Sequence, residues 1–221
     1  MPESQYQVLI FDFDYTLFDT SAGVVECMQR AFAAFDLDAP ADAAIRATIG
    51  LPLVGAIASL GDALSEIEVG GIEQRFLQFS DLYMVERTVP IAPVPSLIPE
   101  LVDAGFALAL FTGKYRARVV RTLQNHNLLG CFDVLVCGDE VRGKPNPEGI
   151  ARIREKWKGY PPESFVMIGD HFLDILAARN SGIDCIAVCS GRTSEQVLSS
   201  HSPLAVIPDL NSLQVALSGK W

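Results

Sequence analysis

Two aspartates separated by one residue, Asp12 and Asp14, directly follow an apolar run in the stretch VLIFDFDYTLFDT over residues 8–20. A strand that enters a protein core has no structural use for two carboxylates at this spacing. Carboxylates in such a pair hold a divalent cation or move a proton during catalysis. The pair therefore marks the end of the first predicted strand as a candidate active site.

Short apolar runs alternate with helical patterns through most of the chain. Because the runs lack a polar alternate face, they are typical of strands in a parallel sheet that is covered on both sides. The alternation predicts an α/β fold with a doubly wound parallel sheet. The predicted strands lie within residues 7–13, 106–113, 132–138, 165–170, 185–191 and, more weakly, 204–208.

One long stretch interrupts this alternation. Residues 21–88 contain no convincing strand and have the pattern of amphipathic helices. The next segment, VPIAPVPSLIP, carries four prolines and predicts a stiff linker, with a helix starting after Ser96 as its N-cap. We therefore expect an α/β core domain formed by residues 1–20 and 89–221, with an inserted all-α domain at 21–88.

Composition and charge exclude several classes of function. The 17 basic and 27 acidic side chains give a net charge of −10, which disfavours binding to nucleic acid or to an anionic membrane. The sequence shows no secretory signal and no run of about 18 apolar residues that would suit a membrane span. The five cysteines form no CxxC pair, which favours a reducing compartment. We expect a cytoplasmic protein, either a monomer or a homodimer.

Polar residues follow four of the predicted strands. In an open parallel sheet, ligands collect outside the carboxyl ends of the strands, so these residues are expected to converge. Clustered carboxylates repel one another unless a cation lies between them, and an oxygen-only ligand set favours Mg²⁺. The remaining donors suit a phosphate group. Besides the first pair, the residues concerned are Thr112, Gly113, Lys144, Asp170 and Asp174.

Four motifs occur in a fixed order: D-x-D-x-T at 12–16, the threonine at 112, GKPNP at 143–147 and G-D-x-x-x-D at 169–174. In this order they resemble the haloacid dehalogenase superfamily. The helical insert after the first motif is similar to the cap of its phosphoglycolate-phosphatase-like branch. The resemblance covers nearly the whole chain and implies a Rossmann-like core with an α-helical cap domain.

The resemblance also implies a role for each motif residue. Asp12 becomes the nucleophile and a Mg²⁺ ligand. Asp14 becomes the general acid and base, and its backbone carbonyl contacts the metal. Thr112, Gly113 and Lys144 are implied to bind the substrate phosphate. Asp170 completes the metal site, and Asp174 either contacts the metal through water or serves only as an acid in the first turn of a helix.

The sequence departs from the usual family pattern at two positions. Tyr15 stands where the family usually has glycine, and Gly113 where it usually has asparagine. Tyr15, Leu51 and Pro52 are candidate specificity residues. Leu51 and Pro52 lie in the segment IGLPLVG, which resembles a cap loop that reaches the active site; the alternative is a plain turn between two helices. His171 is a further candidate for substrate contact or a histidine at the rim of the site.

Two charged features are predicted to serve structure. Asp19 is expected to cap the first helix of the insert. The basic segment GKYRARVVR at 113–121 is expected to form an exposed helix face, the alternative being a positively charged rim of the site.

The predicted activity is Mg²⁺-dependent hydrolysis of a small phosphorylated metabolite through an aspartyl phosphate on Asp12. Two alternatives remain: a β-phosphoglucomutase-like sugar-phosphate mutase and a non-catalytic regulatory phosphate-binding protein. Relatives of the mutase type anchor a second phosphate with a cap arginine and lysine. Residues 21–88 contain no lysine, which makes the mutase the weaker expectation.

Overall fold

A computed structural model describes residues 4–61, 63–191 and 193–218. Within them the chain divides into two compact units. The first runs through Phe18 and resumes at Pro90, and the second spans Asp19–Val89. The inserted domain expected from the sequence spans residues 21–88. No helix in the described ranges is long and apolar enough to cross a membrane.

The first unit is built on a six-stranded sheet in which every neighbouring pair is parallel. The sheet comprises β1 (Val8–Phe11), β4 (Ala107–Phe111), β5 (Val134–Val136), β6 (Phe165–Gly169), β7 (Asp184–Val188) and β8 (Ala205–Ile207). Their order across the sheet is β5-β4-β1-β6-β7-β8. All six predicted strands are present, so the prediction of an α/β parallel sheet is confirmed. Two further short strands, β2 (Phe18–Asp19) and β3 (Val89–Pro90), pair separately.

Both faces of the sheet are buried, which explains the unbroken apolar runs in the sequence. Along β1, Leu9 and Phe11 belong to one core cluster, whereas Val8 and Ile10 belong to another. Successive side chains of a strand point to opposite faces, so each face needs its own covering of helices. The first cluster takes in α5 (Val94–Asp103), α6 (Arg116–Asn125) and α10 (Leu213–Leu217); the second takes in α7 (Glu148–Arg154), α8 (Phe172–Asn180) and α9 (Glu195–Ser200).

The second unit is helical, and its core is formed by apolar side chains of its own helices. Ser65 and Glu68 form a reciprocal capping box at the start of the longest helix, which explains where that helix begins. The first helix of the unit begins at Ser21 with Thr20 at the N-cap position, and Asp19, one residue earlier, accepts a hydrogen bond on Oδ1 from the Ser21 N–H at 2.8 Å. The helices are α1 (Ser21–Ala33), α2 (Asp42–Ala47), α3 (Leu53–Leu60) and α4 (Glu66–Phe79), followed by a π-helical turn (Ser80–Met84) and a 3₁₀ turn (Val85–Arg87).

The prediction for the proline-rich segment was wrong in one respect. Helix α5 already begins at Val94, so Ser96 lies inside its first turn, and Pro99 lies within the helix. Pro95 is tolerated in the first turn because the N–H it lacks has no partner inside the helix there, whereas Pro99, in the interior, removes one backbone hydrogen bond. The apolar side chains Val94, Leu97 and Ile98 bury one face of this helix, which favours helix over an extended linker.

Candidate active site

Three polar residues each follow directly after one of three neighbouring strands. Asp12 follows β1, Thr112 follows β4 and Asp170 follows β6. Because β4, β1 and β6 are adjacent and parallel, the three side chains come to the same edge of the sheet. All three are almost completely buried, with exposed fractions of 7%, 1% and 5%. The structure therefore brings together the residues that the sequence analysis placed at this edge.

Three acids form a compact cluster at the edge. One carboxylate oxygen from each of Asp12, Asp170 and Asp174 lies within 4.8 Å of the others. Two glycines leave room for the cluster. A Cβ on Gly191 would lie 1.8 Å from Asp170 Oδ2, and one on Gly169 would lie 2.3 Å from the Asp174 carboxylate.

Lys144 enters the acid cluster from the loop after β5. Its ammonium group donates to Asp12 Oδ1 and to Asp174 Oδ1, the latter at 2.6 Å. Burial acts to lower the pKa of Lys144, but the charges of Asp12 and Asp174 outweigh it and raise this pKa above its ordinary value. The loop itself is held by Asn180, whose amide donates to the Pro145 carbonyl at 2.9 Å. Lys144 is therefore a fixed, charged ammonium.

Two acids of the cluster, Asp12 and Asp170, have pKa values above those of free carboxyl groups. Burial, with smaller contributions from the charges of Asp174 and Asp14, raises the pKa of Asp12 from 3.8 to about 7, although Lys144 opposes the shift. Burial and the charge of Asp12 likewise raise the pKa of Asp170 well above its ordinary value. Without a cation, the cluster therefore resists full ionisation.

Asp174 has both carboxylate oxygens engaged. Oδ1 accepts from Lys144, and Oδ2 accepts from the backbone N–H of His171 at 3.0 Å. The second contact forms part of a capping box at the start of α8. Asp174 therefore has the first-turn role expected of a helix-capping acid, and it also lies in the acid cluster.

A tight turn after Asp12 carries Asp14 and Tyr15. The Tyr15 N–H donates to the Phe18 carbonyl at 2.8 Å, and the φ angle of Tyr15 is +59°. Positive φ strains a residue that has a Cβ, which accounts for the glycine usual at this position in the family. Tyr15 is 7% exposed, and its hydroxyl has no hydrogen-bond partner in the described part of the chain.

Two further residues of the site, Thr16 and Lys114, were given no role from the sequence. Thr16 is fully buried, and its hydroxyl donates to Asp170 Oδ1 at 3.0 Å. Lys114 is 9% exposed, and its Nζ lies 3.1 Å from Asp14 Oδ1. The expectation of an exposed helix face over 113–121 was wrong for Lys114, which precedes α6, and for Arg118, which is 6% exposed. The position of Lys114, two residues beyond Thr112 at the same strand end, was the available signal.

The other predicted specificity residues fall in different places. His171 follows Asp170 directly, is partly buried, and has its pKa lowered by burial. Leu51 and Pro52 belong to the helical unit, where they are exposed directly before α3. Gly113 follows Thr112, and its carbonyl oxygen packs closely against Gly138.

The acid cluster with its lysine is typical of a class of hydrolases, and comparison with known proteins identifies the family. Residues 9–188 match the haloacid dehalogenase-like hydrolase family, and the chain belongs to this family. The motif order had indicated the same family, so that prediction is confirmed.

Individual relatives agree with this assignment. The chain is 30% identical to a phosphoglycolate phosphatase of Agrobacterium fabrum, with 96% of this chain and 92% of the relative covered. It is also 30% identical to a 5'-nucleotidase of Pseudomonas aeruginosa, with 96% of each chain covered. A haloacid dehalogenase-like hydrolase structure from Bacteroides fragilis superimposes with a TM-score of 0.88 at 29% identity, covering 94% of this chain and 99% of that one.

Proposed function

We propose that the protein is a Mg²⁺-dependent phosphatase that hydrolyses a small phosphorylated metabolite through an aspartyl phosphate on Asp12. The observation that carries the proposal is the contact of Asp12 with Lys144 inside a buried cluster of acids. A nucleophilic carboxylate beside an ammonium group and a cation site suits attack on a phosphate. Relatives named as a phosphoglycolate phosphatase and a 5'-nucleotidase support the same class of substrate.

The residues present fit Mg²⁺. The three clustered groups offer only carboxylate oxygens, which Mg²⁺ prefers, and the raised pKa values of Asp12 and Asp170 reflect a need for positive charge. We assign the carboxylates of Asp12 and Asp170 and the backbone carbonyl of Asp14 as direct ligands. Asp174 is already bonded to Lys144 and to the His171 backbone, so we assign it a contact through water. When bound, Mg²⁺ supplies positive charge that offsets the charge of the carboxylates and the phosphate.

In the first step, a carboxylate oxygen of Asp12 attacks phosphorus and the bond to the leaving oxygen breaks. Lys144, the hydroxyl of Thr112 and the backbone N–H of Gly113 hold the phosphoryl oxygens. The carboxyl group of Asp14 gives its proton to the leaving alkoxide, which departs as an alcohol. Asp12 then carries the phosphoryl group as an acyl phosphate, and Asp14 is ionised.

In the second step, the ionised carboxylate of Asp14 takes a proton from a water molecule. The resulting hydroxide attacks phosphorus, the bond to Asp12 breaks, and inorganic phosphate leaves. Asp12 returns to the carboxylate form and Asp14 to the protonated form, so both residues are ready for another cycle. The same group serves as acid and then as base because its protonation state alternates between the two steps.

Substrate choice is proposed to depend on Tyr15, Leu51, Pro52 and His171. Tyr15 supports this assignment best, because a buried hydroxyl without a partner in the described part of the chain has unused hydrogen-bonding capacity. The partner is proposed to be a small phosphorylated metabolite rather than a nucleic acid or a membrane, in line with the net charge of −10. We propose a cytoplasmic location and a monomer or homodimer.

The Asp12→Asn variant tests the proposal. It removes the nucleophile while keeping side-chain size, so we expect turnover of phosphate esters to be lost and the fold to be retained. Asp133→Asn is the control, because Asp133 also pairs with a lysine at 3.1 Å but is exposed. Wild-type activity should also require Mg²⁺ and vanish with EDTA. Turnover by Asp12→Asn at the wild-type rate would refute the mechanism.

Product analysis separates the remaining alternatives. A phosphatase releases inorganic phosphate from a sugar phosphate, whereas a mutase returns an isomer of it. A regulatory phosphate-binding protein would do neither. The absence of lysine from residues 21–88 favours phosphate release.

A further inference from the structure

A second buried lysine lies beside the proposed acid and base. Lys114 is 9% exposed, and its Nζ lies 3.1 Å from Asp14 Oδ1. The Nζ also lies 5.8 Å from the centre of the Phe13 ring. A lysine side chain is seldom buried to this extent, because removing its charge from water is costly unless a partner compensates for it. The contact with the Asp14 carboxylate therefore offsets part of the cost of burying Lys114.

The backbone of Lys114 is fixed from both sides. Its N–H donates to Thr112 Oγ1 at 3.1 Å, and its carbonyl accepts from the Gly138 N–H at 3.0 Å. The first bond lies within the loop after β4, and the second attaches that loop to the loop after β5. The ammonium group is thus carried by a backbone whose position is set by two strand ends.

A partly exposed ion pair, Arg116 with Glu140, reinforces the same loops. The guanidinium of Arg116 binds Glu140 with two hydrogen bonds of 2.8 and 2.9 Å and also donates to the Leu135 carbonyl at 2.6 Å. Glu140 in turn accepts from the Cys137 N–H at 3.0 Å. Bidentate pairs of this kind restrict orientation as well as distance. The side chain of Arg116, two residues after Lys114, is therefore held in a fixed orientation, which restricts the movement of this loop.

The two lysines of the site contact different acids. Lys144 contacts Asp12 and Asp174, whereas Lys114 contacts Asp14. The side chain of Asp14 is 19% exposed and more open than that of Asp12 at 10%, so burial alone constrains the orientation of Asp14 less. Proton transfer requires the two oxygens to be within hydrogen-bonding distance.

We propose that Lys114 is a positioning residue that holds the Asp14 carboxyl group toward the leaving oxygen of the substrate. This inference rests on the proposed function, in which Asp14 protonates the leaving alkoxide. Lys114 keeps its own protons throughout, and the proton that moves belongs to Asp14. Loss of Lys114 should therefore impair the protonation of the leaving group more than the attack by Asp12.

Leaving groups of different basicity separate these two effects. An alkyl phosphate needs a proton for its leaving alkoxide, whereas p-nitrophenyl phosphate releases a stable anion without one. The kcat/KM for each ester reports the step in which the leaving group departs. We would measure it for the wild type and for the variants Lys114→Met, Lys114→Arg and Asp14→Asn.

The matched control is Lys156→Met. Lys156 also pairs with an aspartate, Asp133, at 3.1 Å, but both side chains are exposed and Asp133 lies before β5, at the opposite end of that strand from the site. General acid catalysis contributes about 10²–10⁴ in rate. We therefore expect Lys114→Met to lower kcat/KM about 100-fold for the alkyl ester and less than about 5-fold for p-nitrophenyl phosphate. Lys156→Met should change neither.

Two expected results and two contradicting ones complete the test. Lys114→Arg, which keeps the charge, should recover most of the alkyl-ester activity, and the double variant Lys114→Met with Asp14→Asn should be no worse than Asp14→Asn alone. An equal loss on both esters in Lys114→Met and Lys114→Arg, with Asp14→Asn still selective, would overturn the positioning role alone. An Asp14→Asn variant without any leaving-group selectivity would instead overturn the role of Asp14 in the proposed function.

Discussion

Replacement of Gly138 by alanine should separate the two loops that carry the phosphate-binding residues. A Cβ at this position would lie 2.1 Å from the carbonyl oxygen of Gly113 and 2.6 Å from its carbonyl carbon. Real Cβ atoms essentially never approach closer than 3.0 Å, so one loop must move by at least 3.0 − 2.1 = 0.9 Å. Both atoms that clash belong to the backbone and cannot rotate away.

The movement has two measurable consequences. Overpacking of this kind costs about 1–3 kcal/mol of the free energy of unfolding, which urea titration measures. A misplacement of about 1 Å in a catalytic site can cost about 100-fold in rate. We therefore expect kcat/KM of Gly138→Ala to fall by up to about 100-fold even when the protein is fully folded.

Gly130→Ala is the matched control, because a Cβ at Gly130 would meet no atom within 4 Å. It lies in the short 3₁₀ turn Leu129–Cys131 that precedes β5. We expect this variant to keep both the stability and the kcat/KM of the wild type. Equal values for Gly138→Ala and Gly130→Ala would refute the close contact between the two loops.

Three further predictions concern the metal, the acid cluster and the helical unit. Because burial raises the pKa of Asp12 to about 7, its ionised form is disfavoured in the folded state, so the metal-free protein should lose stability as pH rises from about 4 to about 7. Mg²⁺ competes with the proton, so the rise in Tm on adding Mg²⁺ should grow over the same range; a constant rise would contradict this. Thr16→Val should weaken Mg²⁺ binding in a titration and cost about 1–2 kcal/mol in urea unfolding, because it removes the 3.0 Å hydrogen bond to buried Asp170; unchanged affinity would argue against it. Ser65→Ala should cost about 1 kcal/mol through loss of the capping box with Glu68, and an unchanged urea midpoint would count against that contact.

The sequence predicted the sheet and its functional edge well. Strands such as Val8–Phe11 are buried on both faces, and that burial leaves an apolar run that is readable without a structure. Asp12, Thr112 and Asp170 were placed correctly at one edge because parallel strands of a single sheet end on the same side.

Contacts between distant residues were not readable from the sequence. The burial of Lys114 depends on Asp14, which lies 100 residues earlier, and on the loop around Gly138. The helix at Val94 depends on apolar packing that overrides the prolines around it. Tyr15 has a positive φ angle and donates a backbone hydrogen bond to Phe18. A residue with a Cβ rarely adopts positive φ, so this conformation could not be read from the sequence.

Trapping of the phosphoryl enzyme tests the central claim most directly. The Asp14→Asn variant should form the aspartyl phosphate from p-nitrophenyl phosphate but hydrolyse it slowly, because it lacks the base that activates water. After acid quenching, mass spectrometry of the peptide over residues 8–20 should show the mass of one added phosphoryl group on Asp12. The double variant with Asp12→Asn should show none. A phosphoryl group on another residue, or continued turnover with Asp12 unmodified, would contradict the account.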